Sequence, residues 1–277
     1  MTYASLMVYV DQGEEAETRV ALACNLAERF DARVIGISAS LPDAAQVDPY
    51  AGGAMVGERL SLYRDMAEAD VKQAEAAFWA AAGARAGRCE WRGRVGFPSD
   101  VVGQAVRAAD LLILGRFDPA RGLQRSIDPG DALMALGRPV LIVPPAPVRL
   151  PPGTAAVVAW KDCREAQRAV ADALPMLKTA ARTHVIEICA IDGMEAARAR
   201  TNDVVDFLKI HGVVASGQAL QGDGGARSSQ ILKFAEDHEA GLIVAGAYGH
   251  ARMREWVLGG VTHGLLGASP ICLLLSH

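Results

Sequence analysis

Short apolar runs bounded by glycine, proline or charge recur along this chain. Between them lie longer stretches in which apolar residues return every three or four positions. The first kind reads as buried strand and the second as amphipathic helix. Residues 6–10, 33–38, 111–114 and 140–143 are predicted strands, and 89–95 alternates polar and apolar side chains as an edge strand does. Residues 14–30, with Val20, Leu22, Ala23, Leu26, Ala27 and Phe30 in helical spacing, form a predicted helix. A long helix is expected over 58–82, and a third from Ser99, read as its cap, to Arg107. Residues 40–57 read as a long connection. The resulting order β-α-β-α-β-α-β-α-β is that of a doubly wound α/β unit.

Pro144, Pro145, Pro147, Pro151 and Pro152 then make a stiff, extended linker. Beyond it the same order returns. Strands are predicted over 154–159, 183–190, 215–220, 242–245 and 271–275, and helices over 164–180, 195–211, 227–238 and 261–266. Val10-Asp11-Gln12 aligns with Trp160-Lys161-Asp162 at an offset of about 150, while Leu111 to Gly115 aligns with Leu242 to Gly246 at about 131. Pro139 matches Pro270 at the second offset. The first half therefore carries roughly 19 extra residues in its middle. The expected architecture is α/β, with two tandem doubly wound domains of five mostly parallel strands each, at 1–145 and 153–277.

The most informative stretch is Gly246-Ala247-Tyr248-Gly249, followed after nine residues by Gly259-Gly260-Val261-Thr262. It follows the apolar strand at 242–245. A strand that leaves through Gly-x-x-Gly lets backbone approach a ligand without a Cβ between them. The helix opening at the second glycine pair offers free N–H groups and a partial positive charge, which suit phosphate. Two structurally required turns would give the same spacing.

This arrangement closely resembles the phosphate-loop signature of the universal stress protein family. The resemblance covers both halves. It departs at Gly260, which stands where nucleotide-binding members carry Ser or Thr; Val261 and Thr262 fit the pattern. In that family an Asp after the first strand lies near the nucleoside. The resemblance implies that role for Asp11 in the first half, where Gly115 is kept but Asp118, Asp128 and Pro129 replace the other loop glycines. Carboxylates there repel phosphate and proline removes a donor, so no triphosphate is expected in that half. The second half keeps the glycines but has Lys161 at the Asp position. Lysine cannot accept a hydrogen bond from a ribose hydroxyl, yet it can reach an acidic group. The candidate phosphate or nucleotide contacts are therefore Ala159, Trp160, Lys161, Gly246, Gly249, His250, Gly259, Gly260, Val261 and Thr262. Arg252 and Arg254 are either further donors or solvated side chains. Trp160 and Trp256 either stack on a base or complete the packing beside the crevice.

Composition narrows the function classes. A net charge of −4 argues against nonspecific nucleic-acid binding, which needs a basic face. No apolar run approaches a membrane span, and the N-terminus reads as strand rather than export signal, so a cytoplasmic protein is expected. The five cysteines form no Cys-x-x-Cys pair and read as reduced packing residues, with Cys163 the candidate for a reactive thiol. No histidine stands in a metal-ligand spacing, so no metal site is expected. Asp162-Cys163-Arg164-Glu165 has capping-box spacing, which makes Asp162 a predicted N-cap. No catalytic constellation is present: there is neither a nucleophile elbow nor a Walker-type loop. The leading expectation is thus a stress-response binding or regulatory protein. Its second half would take ATP, with magnesium, or a related phosphate-bearing ligand weakly or not at all, and its halves would form an internal pseudo-dimer through 140–143 and 271–275, with homodimerisation also open. The alternatives are a nucleotide-dependent hydrolase or transferase and a ligand-free interaction scaffold.

Overall fold

The computed structural model describes residues 2–13, 15–41, 53–145, 148, 150, 152–222, 225–247 and 260–277. Two compact units emerge. One is Tyr3–Leu136; the other holds Gly137–His277 together with Thr2.

In the first unit β1 (Ser5–Tyr9), α1 (Glu15–Phe30), β2 (Arg33–Ser40), α2 (Gly53–Ala82), β3 (Cys89–Val95), α3 (Pro98–Ala105), β4 (Leu111–Gly115) and α4 (Pro129–Leu136) follow in turn. The strands lie in the order β3-β2-β1-β4, and those pairs for which register is defined are parallel. β1 is buried along its whole length, which is why its sequence is a continuous apolar run rather than an alternating one. α2 begins at Gly53, so the predicted long connection ends earlier than expected. The helix predicted from Ser99 starts at Pro98, with Phe97 at its N-cap and no side-chain cap bond; proline's fixed φ suits the first helical position.

The second unit comprises β5 (Val140–Val143), β6 (Ala155–Ala159), α5 (Arg164–Leu177), β7 (Arg182–Cys189), α6 (Met194–Ile210), β8 (Ala215–Gln221), α7 (Arg227–Asp237), β9 (Ala240–Gly246), α8 (Gly260–Ala268) and β10 (Cys272–Ser276). Its strand order is β5-β10-β9-β6-β7-β8. All pairs are parallel except β5 with β10, which is antiparallel with Ile142 opposite Leu273. Asp162 is not the cap of α5. Cys163 is, in extended conformation, because the helix starts one residue later than the capping-box spacing requires.

Strand register gives an independent check on the internal alignment. Leu6 faces Leu111 in the first unit, and Ala156 faces Leu242 in the second. These are the residues that the two sequence offsets bring into correspondence. The hydrogen bond Val10 N–H to Ile37 O, 2.8 Å, likewise has its counterpart in Trp160 N–H to Ile186 O, 2.8 Å.

Among the described helices none is long and apolar enough to cross a membrane, and among the described residues no trio of His, Cys, Asp or Glu could hold a metal ion. One histidine pair escapes sequence spacing altogether. His184 on β7 and His238 at the end of α7 have ring centroids 4.5 Å apart. His238 stacks on Phe234 at 4.0 Å and donates from Nδ1 to the Phe234 carbonyl at 2.8 Å.

Two outcomes test this packing. α2 lies so close on β2 that a Cβ on Gly36 would sit 2.5 Å from the Phe78 ring. Gly36→Ala is expected to cost about 1–3 kcal/mol, read as a lowered urea midpoint at unchanged slope. Burial, then the charges of His238 and Arg182, hold His184 below the ordinary histidine range. Its neutral form is therefore favoured by folding. That contribution is full above the unfolded histidine pKa of about 6.5 and is lost as pH falls from there through the lower folded value. His184→Gln should flatten the acid limb of the Tm–pH curve; an unchanged slope would show that His184 contributes nothing.

Candidate functional site

An open α/β sheet binds ligands beyond the carboxyl ends of its strands, where the strand order reverses. That point lies beside β1 and β4 in the first unit and beside β6 and β9 in the second.

The first crevice is filled by the protein's own side chains. Asp11 follows β1, and its Oδ1 accepts from the Gly13 N–H at 2.9 Å. Its Oδ2 lies 3.0 Å from Nη2 of Arg19, a residue of α1 with 2% of its side chain exposed. That Nη2 meets no acceptor in hydrogen-bonding geometry among the described residues, so the contact is an ion pair through charge alone. Arg19 Nε donates to the Tyr9 carbonyl at 3.2 Å. The guanidinium then passes over Gly115, where a Cβ would collide with Nη1.

The segment after β4 closes the rest. The Tyr9 hydroxyl lies 3.0 Å from the carbonyl oxygens of both Ala39 and Arg125, and donates to one at a time. Leu41 N–H donates to Gln124 O at 3.0 Å. Asp70 accepts from Ser40 Oγ and from Arg125 Nε, each at 2.8 Å. Burial alone would raise the Asp70 pKa, but hydrogen bonds from Arg125, Gln12 and Ser40 outweigh it and hold the carboxyl below its usual range. Asp118 and Asp128 turn to their own backbone: Asp118 accepts from Ala120 N–H at 3.0 Å, and Asp128 from Gly130 N–H at 2.7 Å. Asp128 thereby satisfies an N-terminal donor of α4.

The second unit differs at the matching positions. Lys161 stands for Asp11 and is exposed; Ala169, fully buried, stands for Arg19. Ala159 ends β6 half-buried. The Trp160 indole N–H is buried and meets no acceptor among the described residues. Gly246 ends β9, and a Cβ there would lie 2.5 Å from Ala166 N in the first turn of α5. Its glycine is thus required by the protein's own helix. α8 begins at Gly260, whose absent Cβ would meet nothing within 4 Å among the described residues. Val261 is half-buried and Thr262 buried in the first turn. Gly249, His250 and Gly259 lie outside the described residues, as do Arg252, Arg254 and Trp256. Of the predicted contacts, then, Ala159, Trp160 and Lys161 follow one strand, Gly246 ends the neighbouring strand, and Gly260, Val261 and Thr262 open α8.

Cys163 is no activated nucleophile. Burial pushes its thiol above the ordinary range. Glu165, buried beside it, is ion-paired with Arg164 at 2.6 Å. Sequence reading missed Arg19. Its signal was a cation on the helix face that also carries Ala23, Leu26 and Phe30, where solvated charge has no place.

No family model matches the chain, and no curated protein matches it either. Solved structures do. A universal stress protein from Archaeoglobus fulgidus DSM 4304 aligns with 98% of this chain and 95% of its own, with a TM-score of 0.67 and 15% identity. A protein of unknown function from Pseudomonas aeruginosa PAO1 covers 99% of this chain and 92% of its own, at TM-score 0.56 and 15% identity. A candidate universal stress protein from Pseudomonas aeruginosa UCBPP-PA14 aligns over 99% and 93%, also at 0.56 and 15%. The chain has the universal stress protein fold. At this identity the likeness is one of fold, and the chemistry rests on the residues described above.

Removing Arg19 tests the filled crevice. Truncating one member of a buried ion pair costs about 3–5 kcal/mol, and the lower end is expected for Arg19→Ala because the Asp11 side chain is 17% exposed and can take up water. Chemical denaturation reads this directly. A loss of under about 1 kcal/mol would show that the pair does not hold the crevice together.

Proposed function

We propose that the chain is a stress-response binding or regulatory protein whose second unit takes a phosphate-bearing ligand, an adenine nucleotide such as ATP among them, while its first unit is a self-filled copy of the same site. The reading is carried by one contrast. In the first unit the ion pair Asp11–Arg19 and the Asp128 cap occupy the crevice with internal partners. At the matching positions the second unit has Lys161, Ala169 and the pair Gly259-Gly260, none of which can fill or cap it in that way.

The second unit fits a phosphate in three respects. Backbone N–H groups at the start of α8 are the donors of a helix N-terminus, and the Thr262 hydroxyl lies within its first turn. Lys161 supplies a mobile positive charge. The orphaned Trp160 N–H calls for an acceptor. A ribose has lost its carboxylate partner, so recognition moves from the nucleoside towards the acidic end of the ligand. When bound with magnesium, the nucleotide would bring the metal on its own phosphates. Two tandem domains, 1–145 and 153–277, complete the reading.

Calorimetric titration with ATP, with and without magnesium, decides the matter. Saturable binding near one ATP per chain is expected. Gly260→Ser, which adds a hydroxyl donor without displacing any described atom, should tighten it about three- to tenfold, the worth of one hydrogen bond. No heat from either protein at millimolar ATP would overturn the nucleotide reading.

A further inference from the structure

β8 stands at the outer end of the strand order in the second unit, and among the described residues it pairs with β7 alone. Two bonds show which way its backbone points. The Val214 carbonyl accepts from Thr183 N–H, and Gly222 N–H donates to the Cys189 carbonyl, each at 2.8 Å and each to β7. Backbone groups alternate sides along a strand, so the N–H and C=O groups of Ala215, Gly217, Ala219 and Gln221 point away from β7. The Gln221 carbonyl accepts from Gln230 Nε2 at 3.3 Å and keeps a second lone pair. Ser216, Gly217 and Gln218 are exposed. Such an edge is a template for another strand, and proteins commonly blunt it with charge or proline. β3, at the outer end of the first unit's strand order, carries Glu90, Arg92 and Arg94. β8 reads Ala-Ser-Gly-Gln-Ala-Leu-Gln, with neither charge nor proline.

α6 supplies the rest of this surface. A Cβ on Gly217 would lie 3.2 Å from Val205 and 3.3 Å from Thr201, so the Thr201–Val205 side of α6 rests on β8. Arg200, one step round the helix in the other direction, pairs with Glu187 on β7. The row Arg198, Asn202 and Asp206 therefore runs along the outer side of α6, beside the free edge, and all three residues are exposed.

We propose that β8 and this row of α6 form the interface of a symmetric homodimer, with β8 antiparallel to the same strand of a second copy about a two-fold axis at Gln218. Ala215 then faces the partner's Gln221, and Gly217 the partner's Ala219, each pair exchanging two backbone bonds. The axis passes close to Asn202, because Gly217 lies level with Thr201 and Val205. Arg198 is thereby set against the partner's Asp206. Asp206 also meets Lys209 of its own helix at 3.6 Å, but both side chains are more than half exposed and the carboxylate is open to a second cation. A contact between identical patches must be complementary to itself. An uncharged strand and a row that runs from cation to anion meet that demand. A partner of one charge sign would be repelled at one end of the row, whereas a second copy reverses it. The strand pair and one helix row make a small interface, so the dimer is reversible.

Sedimentation velocity of the full chain over about 1 to 200 µM tests this, and a monomer–dimer equilibrium is expected. Gln221→Pro removes an outward N–H at no cost in bonds to β7, and should weaken the dimer about tenfold. Arg198→Asp places like charges together at two symmetric points and should weaken it by about as much; adding Asp206→Arg should restore it. In the unaltered chain the amides of Gly217 and Ala219 should exchange more slowly as concentration rises, a readout that needs no variant to fold. A monomer at every concentration, a dimer that neither Gln221→Pro nor Arg198→Asp weakens, or exchange at Gly217 and Ala219 that ignores concentration would each overturn the proposal.

Discussion

In each unit one strand must lie close under one helix at the point where the strand order turns. β4 and β9 end in Gly115 and Gly246 because α1 and α5 leave no room for a Cβ. The neighbour differs, a guanidinium in one unit and helix backbone in the other, but the demand is the same. That closeness positions the residues after β1 and β6, the first turn of the following helix and the last residue of β4 or β9 around one small space. What each unit can hold there depends on which side chains stand in that space.

Asp11 with Arg19, and Lys161 with Ala169, are best understood as exchanges made together. A buried guanidinium is tolerable only beside a carboxylate, and its loss alone would leave the carboxylate without its cation. A unit with the pair satisfies itself; in the unit without it an exposed lysine and a buried alanine stand at those positions. Buried ion pairs are weak evidence for stability as such, since an apolar filling can serve as well. An anion entering the first crevice would meet Asp11, Asp70 and Asp128, each already bonded internally.

Much of the fold was legible because strands buried on both faces write themselves as unbroken apolar runs. β1, β4, β9 and β10 were read within a residue or two. The repeat was legible because two offsets sufficed to align the halves, and the observed register uses those same offsets. Helix starts were harder. At Ser99 and Asp162 a good capping residue stood near the start, and tertiary packing began the helix elsewhere. The glycine loop was legible as a motif, yet Gly246 turned out to be needed by α5. Arg19 and the His184–His238 contact were not legible, since each depends on a meeting between elements that no local spacing encodes.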